Sequence, residues 1–473
     1  MTSERVVPAE ELVERALAAS RFEDCVVIVE DTSEAEVRFA NNTTTTSGIR
    51  RDRRVSVASM RAVGPGDDRR FAEVGTAVGV AARSGEVDVV ALVRASEAEA
   101  ATAPPAADAV ALVPGAAADP DFAQPGPVTS VAALGPVTAH LSGAFDRARA
   151  AGHVLAGFAT HAVTTVHLGT STGLRRRHVL PEGVVEIVAR SSDGSRSAWA
   201  GAGVDQVGDA PLDDMEANLE QRLRWAQRKV EMAPGRYEVL LPPDAVADLT
   251  ICLERELSGR DAEEGRNAFA RPGGGTRIGE ALSSVPFVLS GDPADPVLAC
   301  TPFVVAGASS TDSSVFDNGL AIGATRWIDG GRLARLRYHR AAAAASGVEA
   351  TPAVGNLTLA VPGATASLEE MVASTGRGLL LTCLWYIRDV DPVTLLQTGL
   401  TRDGVYLVED GEVVGAVNNF RFNESPLGML ERCTEAGRSQ RALSREWSDW
   451  VRRTAMPPLR VADFNMSSVS PAT

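Results

Sequence analysis

The sequence predicts an α+β protein, on three observations. Its N-terminal part alternates strand-length apolar runs with helical segments, residues 213–230 carry one long amphipathic pattern, and the remainder is dominated by short strands around tight turns. The 473 residues then divide into an N-terminal αβ domain at 1–232 and a β-rich C-terminal domain at 233–473. The boundary is set beside Pro234-Gly235, which stops the long helix.

Taken in order, residues 8–19 read as a capped amphipathic helix leading into 25–30, an apolar run of strand length. Residues 35–39 alternate polar and apolar, Thr43 to Thr46 are β-formers, 55–63 and 76–82 continue the strand pattern, and 86–94 closes it with a helix. Residues 97–127 turn Ala/Pro-rich, which fits a linker or a surface excursion inside one domain; the excursion is favoured. A helix at 131–152 and strands at 161–169 and 183–189 follow, with Asp193-Gly194 as a hairpin turn. In the 213–230 helix Asp213 or Asp214 can cap, and Met215, Leu219, Leu223 and Ala226 recur at helical spacing. Residues 236–241 begin a new strand, and 244–257 form a helix ended by Ser258-Gly259. Beyond it, Asp329-Gly330-Gly331 and Glu409-Asp410-Gly411 are hairpin turns. Residues 296–308, 355–362 and 378–387 read as strands, and 425–436 as a helix.

Composition excludes several function classes. Basic residues number 46 and acidic ones 61, a formal charge of −15, which counts against broad phosphate-backbone binding and against nucleic acid as a partner. No run approaches the roughly 18 apolar residues of a membrane helix. The first residues carry acids where a signal peptide carries a basic segment. Five scattered cysteines (Cys25, Cys252, Cys300, Cys383, Cys433), odd in number and without CxxC spacing, give no disulfide framework and point to a reducing cytoplasm.

Catalytic chemistry is hard to find in the residues themselves. The six histidines form no HExxH; His161 and His167 share a strand face by their even spacing, but ordinary core or exposed histidines are the simpler account. No GxSxG elbow or activated serine is present, and Cys383 sits in an apolar strand rather than an electropositive, accessible setting. Arg271 to Gly279 (RPGGGTRIG) lacks a P-loop ending and reads as a mobile loop, and Arg175-Arg176-Arg177 as a solvated one.

From about Gly235 onward, however, the chain resembles the TldD/TldE family, also called the PmbA or gyrase-modulator family. The landmarks run in family order: Gly235-Arg236-Tyr237-Glu238-Val239-Leu240-Leu241, Leu257-Ser258-Gly259, Gly279, Gly291-Asp292-Pro293 and Val315-Phe316-Asp317-Asn318-Gly319. After them come Ile328-Asp329-Gly330-Gly331-Arg332-Leu333, Gly355-Asn356, Val361-Pro362-Gly363, Ser367-Leu368-Glu369-Glu370, Asp391-Pro392-Val393-Thr394 and Tyr406-Leu407-Val408-Glu409-Asp410-Gly411-Glu412. In the N-terminal half, Gly169-Thr170-Ser171-Thr172-Gly173-Leu174 resembles a further family segment. Asn318 in place of the usual acid and Cys383-Leu384-Trp385-Tyr386 depart from the pattern.

The resemblance implies a two-domain TldD/PmbA-like fold. TldD-like chains carry an HExxxH zinc motif on the helix after the first C-terminal strand, with a cysteine ligand near the C-terminus; TldE-like chains lack them and pair with TldD. Anchored on Leu257-Ser258-Gly259, the window spans Thr250-Ile251-Cys252-Leu253-Glu254-Arg255, so Thr250 and Arg255 replace the histidines and Ile251 the glutamate. Cys433 falls too early for the third ligand. The implied function is that of a noncatalytic, cytoplasmic TldE-like subunit without a cofactor or catalytic residues of its own. Its TldD-like partner would supply zinc, and the pair would act on small unfolded peptides or ribosomal-peptide precursors. The alternatives are a stand-alone peptide-binding scaffold homodimer and a non-metal hydrolase using Cys252 or Cys383.

Overall fold

The structure is a computed structural model, and it describes residues 7–64 and 75–471; the start of the N-terminal segment, 1–6, lies outside them. Among the described residues the strands form three sheets. The first runs in the order β3-β2-β1-β4-β5-β6, with β1 (Asp24–Ala40), β2 (Thr43–Val63), β3 (Gly75–Ser84), β4 (His153–Thr170), β5 (Arg175–Ser191) and β6 (Ser197–Val204). Every neighbouring pair is antiparallel. Asn41 and Asn42, at φ 52° and 57°, turn β1 into β2, the left-handed geometry that a two-residue hairpin needs and Asn tolerates.

Alternation along β1 settles what each face meets. Cys25, Val27 and Val29 pack under α1 (Ala9–Ala19) and α2 (Val89–Thr102). Ala35, Val37 and Phe39, on the same face, pack under α3 (Gly135–Ala150) and α4 (Leu212–Trp225). Val26 and Ile28 point the other way, where with Val166 and Leu168 they meet Phe303, Val315 and Phe316 of the C-terminal region. Burial of both faces explains why residues 25–30 read as an unbroken apolar run. β3 pairs with Arg54 to Val63, so among the described residues no strand lies on the outer side of β2 from Thr43 to Arg53, and its side chains there are largely exposed.

The C-terminal region holds the other two sheets. One has ten strands and includes β7 (Lys229–Val230) at an edge and β8 (Gly235–Leu241) between Leu459–Val469 and Arg377–Leu381. The other has six and includes Val288–Gly291, Thr325–Asp329 and Thr454–Met456. Between them α5 (Pro243–Arg255) is almost wholly buried in the largest core of the molecule.

Several expectations are corrected. The helix read at 213–230 stops at Trp225, and Lys229–Val230 becomes a strand parallel to Ala416 and Val417; Pro211 rather than either aspartate holds the cap position. Residues 296–308 form no strand: Leu298, Cys300 and Phe303 are buried from an irregular segment wedged between the regions. Residues 378–387 split into Arg377–Leu381 and Leu384–Asp391, and 425–436 into the helix Pro426–Glu431 and the strand Cys433–Ala436. Arg175-Arg176-Arg177 is no solvated loop but the start of β5, paired with Glu14, Asp119 and Asp121 at 2.5–2.7 Å. Through these bonds the excursion at 97–127 is pinned to the sheet after its first residues finish α2.

Candidate functional site

Where the first sheet faces the C-terminal region, a cavity of about 790 Å³ opens. Register dictates its floor. Glu30 opposes Val166 and Thr32 opposes Thr164 across β1 and β4, while Thr164 and Ala162 oppose Leu180 and Glu182 across β4 and β5. Glu30, Thr164, Val166, Leu180 and Glu182 therefore share one face, and all five line the cavity. His161 and His167 lie on the opposite face: His161 Nδ1 is 2.6 Å from Thr129 Oγ1, and His167 stacks edge-on with Phe122. They form no ligand pair.

The roof comes from the C-terminal region and includes Glu254, at the end of α5, with Arg337, His339 and Trp450. Arg337, 5% exposed, bridges Glu254 at 2.8 Å and Asp312 at 2.8 Å, and donates to the Arg255 carbonyl at 2.7 Å. Asp317 holds Arg340 at 2.7 Å. The neighbouring Asn318 accepts from the Ala306 N–H at 2.7 Å and donates to the Ala306 and Val315 carbonyls at 2.9 Å. Both donation and acceptance are needed there, which accounts for an amide where a carboxylate could only accept.

α5 carries the window singled out from the sequence. Thr250 is 1% exposed with its hydroxyl unpartnered, and Ile251 is in the core. Arg255, in the last turn, lies 4.9 Å from the Trp447 ring centre and 5.1 Å from that of Trp450. Five positions apart, Thr250 and Arg255 leave a regular helix about 140° apart, so the threonine enters the core while the guanidinium meets the two indoles. A hydroxyl, an alkyl group and a cation do not fit a zinc ion, which takes thiolate, imidazole or carboxylate donors. Among the described residues no group of three or more His, Cys, Asp or Glu is placed to hold a metal.

The segment bearing the tryptophans is fastened to α5 by two carboxyls that pattern reading missed. Asp244 accepts from the Leu443 N–H at 2.9 Å; Asp248 accepts from Ser444 Oγ at 2.6 Å and the Glu446 N–H at 2.9 Å. Burial pushes Asp248 up to about 8 and Asp244 up to about 6, against the hydrogen bonds that favour the charged form. Both look like exposed acids in sequence, and only their i,i+4 spacing on a buried helix could have flagged them. The thiols are inert: Cys252 and Cys383 are buried, burial raises both, and Cys383 reaches about 12 despite Arg445 beside it. The loop Arg271 to Gly279 does not line the cavity.

Residues 234–468 match the family model of the PmbA/TldA metallopeptidase C-terminal domain. Solved structures extend the likeness over almost the whole chain. TldE of Thermococcus kodakarensis superposes with a TM-score of 0.75 at 16% identity, covering 96% of this chain and 99% of that one. The fold is TldD/PmbA-like. Two proposed modulators of DNA gyrase share it: one from Thermotoga maritima (TM-score 0.75, 15% identity, 96% and 99% coverage) and one from Bacteroides thetaiotaomicron (0.72, 12%, 97% and 99%). No curated protein matches the chain by sequence. The TldD/PmbA-like architecture, an N-terminal αβ region and a larger β-rich C-terminal one, is the one the sequence predicts.

Proposed function

We propose that the chain is a noncatalytic TldE-like subunit of a heterodimeric, cytoplasmic zinc metallopeptidase acting on small unfolded peptides or ribosomal-peptide precursors. Thr250, Ile251 and Arg255 stand where a TldD-like chain would carry its HExxxH, and that partner supplies the zinc and the general base. One observation carries the reading: Arg255, at the position of the second histidine, is a guanidinium held between two indoles. A fixed positive charge repels a dication instead of ligating it. The buried, raised thiols of Cys252 and Cys383 speak against a cysteine hydrolase.

The test is co-purification with a TldD-like protein, metal analysis of each chain, and peptide cleavage by each alone and by the mixture. Zinc on the partner and cleavage by the mixture are the expected result. Stoichiometric zinc on this chain, or cleavage by it alone, overturns the reading; stable self-association with indifference to any TldD-like chain favours a homodimeric scaffold.

A further inference from the structure

The cavity between the two regions contains polar groups that the fold itself leaves unanswered. Glu254 is 5% exposed and gives one carboxylate oxygen to Arg337, but its Oε2 has no partner. His339 is 3% exposed; its Nδ1 accepts from the Ala342 N–H, so the proton is on Nε2, and that nitrogen has no partner either. Both residues line the cavity. A buried acceptor and a buried donor left unmatched each cost free energy unless something enters to meet them.

Charge narrows what that something is. The lining carries six carboxylates against three arginines. Arg337 already bridges Glu254 and Asp312, and Arg453 holds Asp205 at 2.7 Å. Across from them Glu30 has no hydrogen bond or ion pair among the described residues, and burial raises its carboxyl with only the Arg54 charge opposing. The lining residues therefore offer an entering group surplus negative charge, an unpartnered carboxylate oxygen and an unpartnered N–H, the last two closed to solvent in this structure. A primary ammonium followed closely by a carbonyl satisfies all three, and the start of a polypeptide has that arrangement. The volume, about 790 Å³, lies in the range of small-ligand sites, roughly 300–1,000 Å³.

We propose that this cavity binds the amino-terminal end of a peptide, the ammonium group matched by Glu254 and Glu30 and the first carbonyl by His339 Nε2. Peptide as the ligand class rests on the proposed role in peptide handling, while the site belongs to this chain alone. The subunit thus selects free amino termini and contributes to specificity rather than only closing a chamber.

The test titrates the purified full chain with pentaalanine and with N-acetyl-pentaalanine, by calorimetry and by the fluorescence of Trp450, which lines the cavity. Loss of one charge-assisted contact predicts that acetylation weakens binding about tenfold or more. Glu30→Gln should weaken the free peptide and leave the acetylated one unchanged, a coupling that a merely structural role would not produce. Glu254→Gln should act likewise; if it fails to fold, the acetylation arm still decides. Equal affinity of the two peptides, or binding of neither, overturns the proposal. So does an acetylated peptide with an internal lysine that binds as tightly as pentaalanine, because any primary ammonium would then suffice. The titration uses no partner, so its failure is distinguishable from failure to form the heterodimer.

Discussion

The two regions of the molecule are held in shape differently. The N-terminal sheet runs through strands as long as 21 residues in continuous antiparallel register, broken in the β1–β2 pair only at Arg38/Phe39 beside the turn. Its non-glycine residues at positive φ are Asn41 and Asn42, both in a turn that suits them. The C-terminal region has short strands with repeated register shifts, and it places Tyr386, Leu395, Asp403, Asp410 and Asp463 at positive φ. For Tyr386 and Leu395 that geometry is a strained one. Periodicity specifies the sheet of the first region, whereas register shifts and unusual backbone angles shape the second. The cavity lies where they meet, with a regular floor and an idiosyncratic roof.

If this contrast is right, substitutions in the roof should cost more than those in the sheet. The largest effect is expected for Arg337→Ala, which strands the buried Glu254 and the Asp312 carboxylate; a loss of about 3–5 kcal/mol should appear in denaturant unfolding. Gly319→Ala comes next. Gly319 sits at φ 82°, and a Cβ there would lie 2.0 Å from Leu174 Cδ2 of the N-terminal region. About 1–3 kcal/mol should be lost, and adding Leu174→Ala should recover the steric part but not the backbone part. Removing Arg255 with Arg255→Ala forfeits two ring contacts, for about 0.5–2 kcal/mol and a change in tryptophan emission. Arg50→Ala, on the outer margin of β2 with Glu34 at 3.7 Å, should change stability by less than about 0.5 kcal/mol.

Proton linkage sharpens the same comparison. Asp248 is raised by burial to about 8, so the fold favours its protonated form. Its contribution is fully present below the ordinary carboxylate value near 3.9 and is lost as pH rises through about 8. Melting temperature should therefore decline between about pH 4 and 8. Asp248→Asn keeps an acceptor for Ser444 and the Glu446 N–H and should flatten that decline; a slope unchanged in the variant would refute the assignment.

How far the sequence alone reached follows from the same division. α1, the Asp193-Gly194 hairpin, β8 and α5 were legible because each combines a clear period with a stop signal. The full length of β2 was not: from Thr43 to Arg53 its side chains are largely exposed on both faces, so no alternation marks the strand. Residues 296–308 misled in the opposite sense, since burial between two regions makes an irregular segment as apolar as a strand. Of the site, the unusual window on α5 was visible. Glu30 and Glu182 were not, because only register brings them to one face.

The outer margin of β2, which pairs with no strand among the described residues from Thr43 to Arg53, has one more consequence. Ten or so backbone donors and acceptors stand ready there for any extended chain, the arrangement from which fibrils grow. Arg50, Arg51 and Asp52 sit along that margin and act as gatekeepers, since a second copy zipping on would have to desolvate their charges. Neutral, β-branched residues in their place would cost the monomer almost nothing and would turn a harmless arm into a seed for aggregation.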